Sequence, residues 1–389
     1  MNKQHRVLVL GSGKIGSLIS GLLAESGAYH VDLADVSAAS AKAVADAHGL
    51  KNLAAYGVDA TRFDALDAHL KAHQVDAVLS SLPYQCNRTV AQACRANGLH
   101  YFDLTEDVET TRAVIEIAKG ASTAFAPQCG LAPGFISIAA NELISHFDEV
   151  HDAKLRVGAL PQNPNNALKY SLTWSTDGLI NEYGNTGYGL IDGKVVPLQP
   201  LEGLETIQLD GELYEAFNTS GGLGSLADTY AGSVRSMSYK TMRYPGHCAQ
   251  MQLLMFDLKM NQDRDTLKRI LENAVPKTLQ DVVLVYVSVI GKQGGELIEE
   301  SFVRKVYPQQ IAGRLWGAIQ VTTAAGITAV VDQVLSNPGR YQGFVTQERF
   351  RLGDILDNRF GKYYALKDGA EISARLVATG QTGKQRKSA

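Results

Sequence analysis

Near the start of the chain, Gly11-Ser12-Gly13-Lys14-Ile15-Gly16 has the spacing of a loop that can cradle a pyrophosphate. It follows a short apolar run and precedes residues with helical spacing, the context such a loop requires. Gly11 permits the tight turn, Gly13 lets an anion approach the backbone, and Gly16 lets the helix pack on the strand. The helix N-terminus then faces the negative charge. Asp35 stands 19 residues past Gly16 at the end of a second strand, where a carboxylate can accept from a ribose 2′-hydroxyl. No Arg or Lys follows at once, so a 2′-phosphate meets repulsion, and NAD is the expected cofactor. The competing reading makes Asp35 an N-cap for the helix that follows. Asp59, at the end of a third strand, either borders an adenine or caps a helix. Ser80-Ser81-Leu82-Pro83, after a fourth strand, leaves room for a nicotinamide or is an ordinary turn.

Positioning these groups requires alternating strands and helices, and the first third of the chain supplies them. Strands are expected at 6–10, 30–35, 53–58, 77–81, 100–104 and 123–127, with helices at 15–26, 38–47, 65–72, 90–96 and 108–119. Crossovers of this length demand a parallel sheet, so the fold class is α/β with a Rossmann-type doubly wound sheet. After Pro133 the rhythm changes. Alternating segments at 153–160, 169–174, 234–242, 282–290 and 297–306, with helices at 247–256 and 266–274, predict an inserted, mixed, mainly antiparallel α+β domain. A long helix is expected over 312–335. The expected organisation is a dinucleotide domain over 1–133, completed by about 337–375, a substrate and dimerisation domain over 134–336, and a flexible tail over 376–389.

The 389 residues carry 37 basic and 40 acidic side chains. That balance excludes a nucleic-acid protein working by bulk phosphate attraction. Cys86, Cys94, Cys129 and Cys248 show no metal or disulfide spacing, so no metal is expected and a reducing cytoplasm is the expected home. The apolar stretch 315–335 carries Gln320, Asp332 and Gln333 and reads as a buried helix, not a membrane span.

With the glycine loop in place, further motifs resemble the saccharopine dehydrogenase family, most of all its lysine 6-dehydrogenase members. They are Ser81-Leu82-Pro83-Tyr84, His100 to Glu106, Cys129-Gly130-Leu131-Ala132-Pro133-Gly134, Glu215 to Gly222, and Thr241-Met242-Arg243-Tyr244-Pro245-Gly246-His247. Near the end, Gly343 to Glu348 is similar to a family ending in which proline stands where this chain has Gln347. The resemblance spans residues 5 to 350 or so and implies a first domain built from both chain ends. It also implies NAD-dependent oxidative deamination of L-lysine at the ε-carbon, giving ammonia and 2-aminoadipate 6-semialdehyde, which cyclises to piperideine-6-carboxylate. Two alternatives share this architecture: a saccharopine- or carboxyalkyl-amine-forming enzyme, and a dinucleotide-binding protein without catalysis.

Oxidising an amine-bearing carbon requires a free nitrogen lone pair, and a lysine ammonium has a pKa of about 10.4. Asp103 and Glu106, beyond the fifth strand, can take that proton, although Asp103-x-x-Glu106 also has the form of a capping box. His247 either relays a proton, binds carboxylate or lies on the surface. Arg243, in a Tyr-Pro-Gly turn with Tyr244, is the expected clamp for the substrate carboxylate. Thr219 and Ser220 offer hydroxyls, Lys169 offers a further cation, and Tyr84 can orient substrate. A homodimer is the default expectation for the assembly.

Overall fold

The computed structural model describes residues 4–337 and 339–365. Its strands are β1 His5–Leu10, β2 Tyr29–Asp35, β3 Leu53–Gly57, β4 Ala77–Ser80, β5 His100–Asp103, β6 Ala124–Ala126, β7 Glu149–Pro161, β8 Gly187–Ile191, β9 Lys194–Leu198, β10 Glu205–Leu209, β11 Glu212–Asn218, β12 Val234–Arg243, β13 Asp281–Gln293, β14 Glu296–Val306, β15 Gln309–Ile311, β16 Arg314–Trp316 and β17 Gly343–Phe344. Its helices are α1 Lys14–Glu25, α2 Ala38–His48, α3 Phe63–His73, α4 Asn87–Asn97, α5 Val108–Ala118, α6 Phe135–Ile144, α7 Thr176–Gly184, α8 Leu226–Thr229, α9 His247–Gln252, α10 Arg264–Ala274, α11 Ala318–Ser336 and α12 Leu352–Leu356.

The first sheet runs β17-β6-β5-β4-β1-β2-β3, all parallel. Val7 to Leu10 are buried without alternation, as a strand covered by helices on both faces must be. Strand order reverses between β1 and β4, and such a switch point opens a crevice at the carboxyl ends of the strands. There the Ser81 hydroxyl donates to the Leu10 carbonyl at 2.8 Å, tying the end of β4 to the entry of the glycine loop. The chain returns at its far end, where β17 pairs with β6.

The second sheet runs β10-β11-β12-β7-β13-β14, with the β8–β9 hairpin attached to β12. It is antiparallel except where β12 runs parallel to β7. Val283, Val285, Val287 and Val289 alternate onto the face that packs with Phe135 and Ile136 of α6 and Val321 and Ala325 of α11. Among the described residues α11 alone is long and apolar enough to cross a membrane, but 83% of that stretch is buried inside the fold, as in a core helix. Its N-terminus is held by Asp281, which accepts from the Ala318 and Ile319 amides at 2.6 and 3.0 Å.

Four elements depart from the sequence expectation. Residues 169–174 form no strand: Tyr170 and Leu172 are buried against α7, α9 and α10, so their alternation reflects packing of an irregular segment. The helix expected from 312 begins at Ala318, because β15 and β16 form a hairpin around Ala312-Gly313. Helices α6 and α7 lie where the sequence pattern indicates no helix. The tail expected over 376–389, and the completing segment beyond 365, lie outside the described residues.

Candidate functional site

The glycine loop meets the steric demands its sequence suggests. Gly11 has φ +98°, and a Cβ on Gly16 would lie 1.8 Å from the Gly11 carbonyl oxygen. A Cβ on Gly13 would meet nothing within 4 Å. The three positions therefore divide into a turn, a packing contact and an open face. Gly13 is the N-cap of α1, whose first turn carries no acidic residue, so its free amides favour an anion. Lys14 is exposed beside it, and Ile15 lines the cavity described below.

Asp35 does not cap α2; Ser37 does, accepting from the Ser40 amide at 3.2 Å. Instead Asp35 accepts from the amide and hydroxyl of Ser12, both at 2.8 Å, and from the Ser37 amide at 3.0 Å. Burial opposes its charge, but these donors prevail and hold the carboxyl below its ordinary range. Asp59 is taken up by its own turn, accepting from the Thr61 amide and hydroxyl at 3.0 and 2.6 Å. These residues fit a dinucleotide: an open glycine face, a helix N-terminus and an ionised carboxylate at the end of β2.

Beside this crevice lies a cavity of about 420 Å³. Ile15, Ser81, Leu82, Tyr84 and Glu106 form its wall on the first-sheet side. Trp174, Asn181, Glu182, Tyr239, Thr241 and Arg243 form its wall on the second-sheet side. Tyr239, Thr241 and Arg243 are alternate residues of β12 and so share one face of the strand. Gly178 is required in α7 because the Trp174 ring occupies the space of a Cβ, at 2.4 Å.

The structure separates the two carboxylates proposed for proton removal. Asp103 is fully buried, lies outside the cavity wall, and accepts from the Tyr101 hydroxyl, the Asn87 side chain and the Thr105 and Gln128 amides. Ser80 joins the same network through Asn87, at 2.7 Å. Asp103 thus organises the carboxyl end of β5. The capping-box reading also fails, because the N-cap of α5 is Asp107, which accepts from the Thr110 amide at 2.7 Å. Glu106 does line the cavity. Burial pushes its carboxyl up to about 7, and the nearby charge of Glu182 adds to the shift. A group at this pKa accepts protons effectively near neutral pH.

Arg243 is held by a relay of buried groups. Its Nε donates to the Tyr183 hydroxyl at 2.7 Å and its Nη1 to the Met242 carbonyl at 2.9 Å. Its guanidinium lies 5.0 and 5.6 Å from the ring centres of Tyr170 and Tyr183. Behind it, His247 is buried and not at the surface. Its Nδ1 sits 2.7 Å from the Leu168 carbonyl and its Nε2 3.1 Å from the Tyr183 hydroxyl. Burial and the Arg243 charge lower His247 to about 3. The neutral ring therefore donates from Nδ1 and accepts the Tyr183 proton at Nε2, leaving the tyrosine oxygen to accept from Arg243. His247 supports the arginine and does not reach the cavity.

The remaining expected residues lie behind or beside the cavity. Thr219 bonds the Thr241 hydroxyl at 2.9 Å and faces a smaller cavity of about 160 Å³. Ser220 donates to the Asn181 carbonyl, Lys169 is exposed and donates to the Pro245 carbonyl, and the Tyr244 hydroxyl donates to the Pro161 carbonyl. Cys129 is buried against Gln347, which donates to its sulfur. Asp32, His69 and His73 form a cluster of metal-type donors, but the Arg6 guanidinium already supplies the cation on Asp32, at 3.0 Å.

Sequence reasoning missed Glu182, Tyr183, Tyr170 and Trp174. Once Arg243 is singled out, period two along β12 points to Thr241 and Tyr239. No comparable signal marks Glu182, because the segment before it imitates a strand.

Comparison with known proteins agrees with this architecture. Residues 7–126 match the family model of the saccharopine dehydrogenase NADP binding domain, and residues 130–358 match that of the saccharopine dehydrogenase C-terminal domain. The chain belongs to the saccharopine dehydrogenase family. It is 30% identical over 206 residues to saccharopine dehydrogenase [NADP(+), L-glutamate-forming] of Saccharomyces cerevisiae, a match covering 49% of this chain and 43% of the relative. It is 27% identical over 319 residues to alpha-aminoadipic semialdehyde synthase of Arabidopsis thaliana, covering 69% of this chain and 28% of that protein. The chain thus spans less than half the length of these curated relatives. The solved structure of apo saccharopine dehydrogenase (L-Glu forming) from Saccharomyces cerevisiae superimposes with a TM-score of 0.75 at 18% identity, covering 92% of this chain and 98% of that one. The likeness establishes a shared fold.

Proposed function

We propose that this protein oxidises L-lysine at its ε-carbon with NAD, releasing ammonia and 2-aminoadipate 6-semialdehyde, which cyclises to piperideine-6-carboxylate. The observation that carries the reading is the charge inventory of the cavity. Among its described lining residues Arg243 is the only cation, and the carboxylates are those of Glu106, Glu182 and Asp177. Asp177 is exposed and already paired with Lys268 at 2.6 Å. One guanidinium and the carboxylates of Glu106 and Glu182 complement a substrate with one carboxylate and two amines. Saccharopine carries three carboxylates, and the unpaired charges would be costly in a buried site.

In this reading Arg243 binds the α-carboxylate, and Glu106 takes the ε-ammonium proton, freeing the lone pair that stabilises the carbon as hydride leaves. Hydride loss leaves an ε-imine, and water then adds to it to release ammonia and the semialdehyde; Tyr84 and Leu82 line the wall on the glycine-loop side of the reacting carbon. A bound nicotinamide dinucleotide supplies the hydride acceptor; Gly11, Gly13, Gly16, Ser12 and Asp35 would hold it. The ionised Asp35 supports NAD, since a 2′-phosphate would meet a like charge.

The names of the relatives favour a second reading, a saccharopine-forming enzyme using NADP. A panel of L-lysine, saccharopine and cadaverine with either dinucleotide, followed by absorbance of the reduced cofactor, separates the two. Lysine turnover with NAD is expected. Saccharopine turnover without lysine turnover rejects the proposal, and equal use of NADP rejects the role given to Asp35.

A further inference from the structure

Resting on the reading of the cavity as an amino-acid site, we propose that Glu182 holds the substrate's α-ammonium beside Arg243, so that the two side chains together grip the head of a free α-amino acid. The head then lies at α7 and β12, and the reactive end of the substrate lies toward Glu106 and the glycine loop.

Arg243 leaves part of its fork free. Its Nε and Nη1 are committed to Tyr183 and the Met242 carbonyl, and its face to two tyrosine rings. Nη2 remains, and Glu182 Oε2 lies 3.6 Å from it, too far for a formed hydrogen bond. A carboxylate serving only as counter-ion to a buried arginine is expected to dock in the two-pronged geometry that pairs these groups best. Glu182 does not. Its Oε1 is fixed by the Thr241 hydroxyl at 2.6 Å, with Thr219 at 3.5 Å, while Oε2 is buried without a hydrogen-bond partner. An unmet carboxylate oxygen inside a protein is costly, and a site is where a ligand can meet it.

An α-carbon carries its ammonium and carboxylate on adjacent bonds, so the groups that bind them must be neighbours of opposite sign. Glu182 and Arg243 are such neighbours on the same cavity wall. The hydroxyls of Thr219 and Thr241 lock the carboxylate, and Tyr183 with His247 locks the guanidinium. Each half of the grip therefore has its own support.

The test compares wild type with Glu182→Gln, using L-lysine and 6-aminohexanoate, which keeps the carboxylate and the ε-amine but lacks the α-amine. Losing one charge-assisted contact should raise KM for lysine by about 10- to 100-fold, with kcat changed less than about threefold. 6-Aminohexanoate should be weak with wild type and no weaker with the variant. Equal losses for both substrates would show that Glu182 only supports Arg243 and would overturn the proposal, as would an unchanged KM for lysine. Calorimetric titration of both proteins with L-lysine and saccharopine, each an α-amino acid, gives a readout independent of turnover. If lysine binds or saccharopine binds but lysine is not oxidised, weaker binding by Glu182→Gln keeps the grip while the lysine reading falls. Equal binding by both proteins, or no binding of either compound to wild type, overturns the grip itself.

Discussion

Glu106 joins chemistry to stability. Because burial lifts its carboxyl to about 7, the ionised base appears as pH rises through neutrality, and the rate of lysine oxidation should rise over the same window. Glu106→Gln should lower kcat by about 10²- to 10⁴-fold and remove that limb of the profile. The sign for stability is opposite. The folded protein binds the Glu106 proton more tightly than the unfolded chain does, so rising pH weakens the fold between about 4.5 and 7. The penalty then stays constant and is at most roughly 3–4 kcal/mol. Glu106→Gln should therefore melt higher than wild type above pH 7 and alike below about pH 4.5, as differential scanning calorimetry can show. Arg243→Ala should cost lysine about 10- to 150-fold in kcat/KM while cadaverine, poor with wild type, loses little further. Equal losses for both would remove Arg243 as the carboxylate clamp. Arg243 and Glu106 were legible because each sits in a short motif at a strand end. Their surroundings were not: Asp103 looks as chemical as Glu106 in sequence, and only the fold shows that its oxygens are already engaged.

At the level of elements, the glycine loop separates binding from folding. Gly13→Val projects into open space, so the variant should fold normally and lose dinucleotide binding in a calorimetric titration. Gly16→Ala drives a methyl into the Gly11 carbonyl and should lower the melting temperature directly. Similar stability of the two variants would contradict this division of roles. The alternation of the first sheet was legible because each parallel strand is a short apolar run closed by a turn, and each helix has its own period. Helices α6 and α7 were less legible. α6 is buried nearly all round and shows little polar face, while α7 follows an irregular segment whose buried alternate residues imitate a strand. Local pattern also mislocated a cap: Asp107, not Asp103, sits where the chain turns into α5.

For the molecule as a whole, the end of the described chain returns to complete the first sheet and to brace the second. Gln347, standing where the family ending has proline, donates to the Pro127 carbonyl at 2.8 Å, and Glu348 accepts from Ser225 at 2.8 Å and Thr229 at 2.9 Å. Gln347→Ala should strip a buried carbonyl of its amide donor, leaving only a long contact from the Cys129 thiol, and cost about 1–3 kcal/mol of stability, read by denaturant unfolding, with kcat unchanged. This closure was suggested by the motif at 343–348, but its contacts join residues more than 100 apart and no local pattern encodes them. The cavity lies between the two sheets, so its charge inventory is likewise a property of the assembled chain. If this inventory selects lysine as the hydride donor, isotope must pass from lysine to the dinucleotide. L-Lysine deuterated at the ε-carbon is incubated with the protein and NAD, and the reduced dinucleotide is analysed by mass spectrometry alongside released ammonia. One deuterium per reduced dinucleotide, with one ammonia, is the predicted result; no transfer from lysine under conditions where saccharopine reduces the dinucleotide contradicts it.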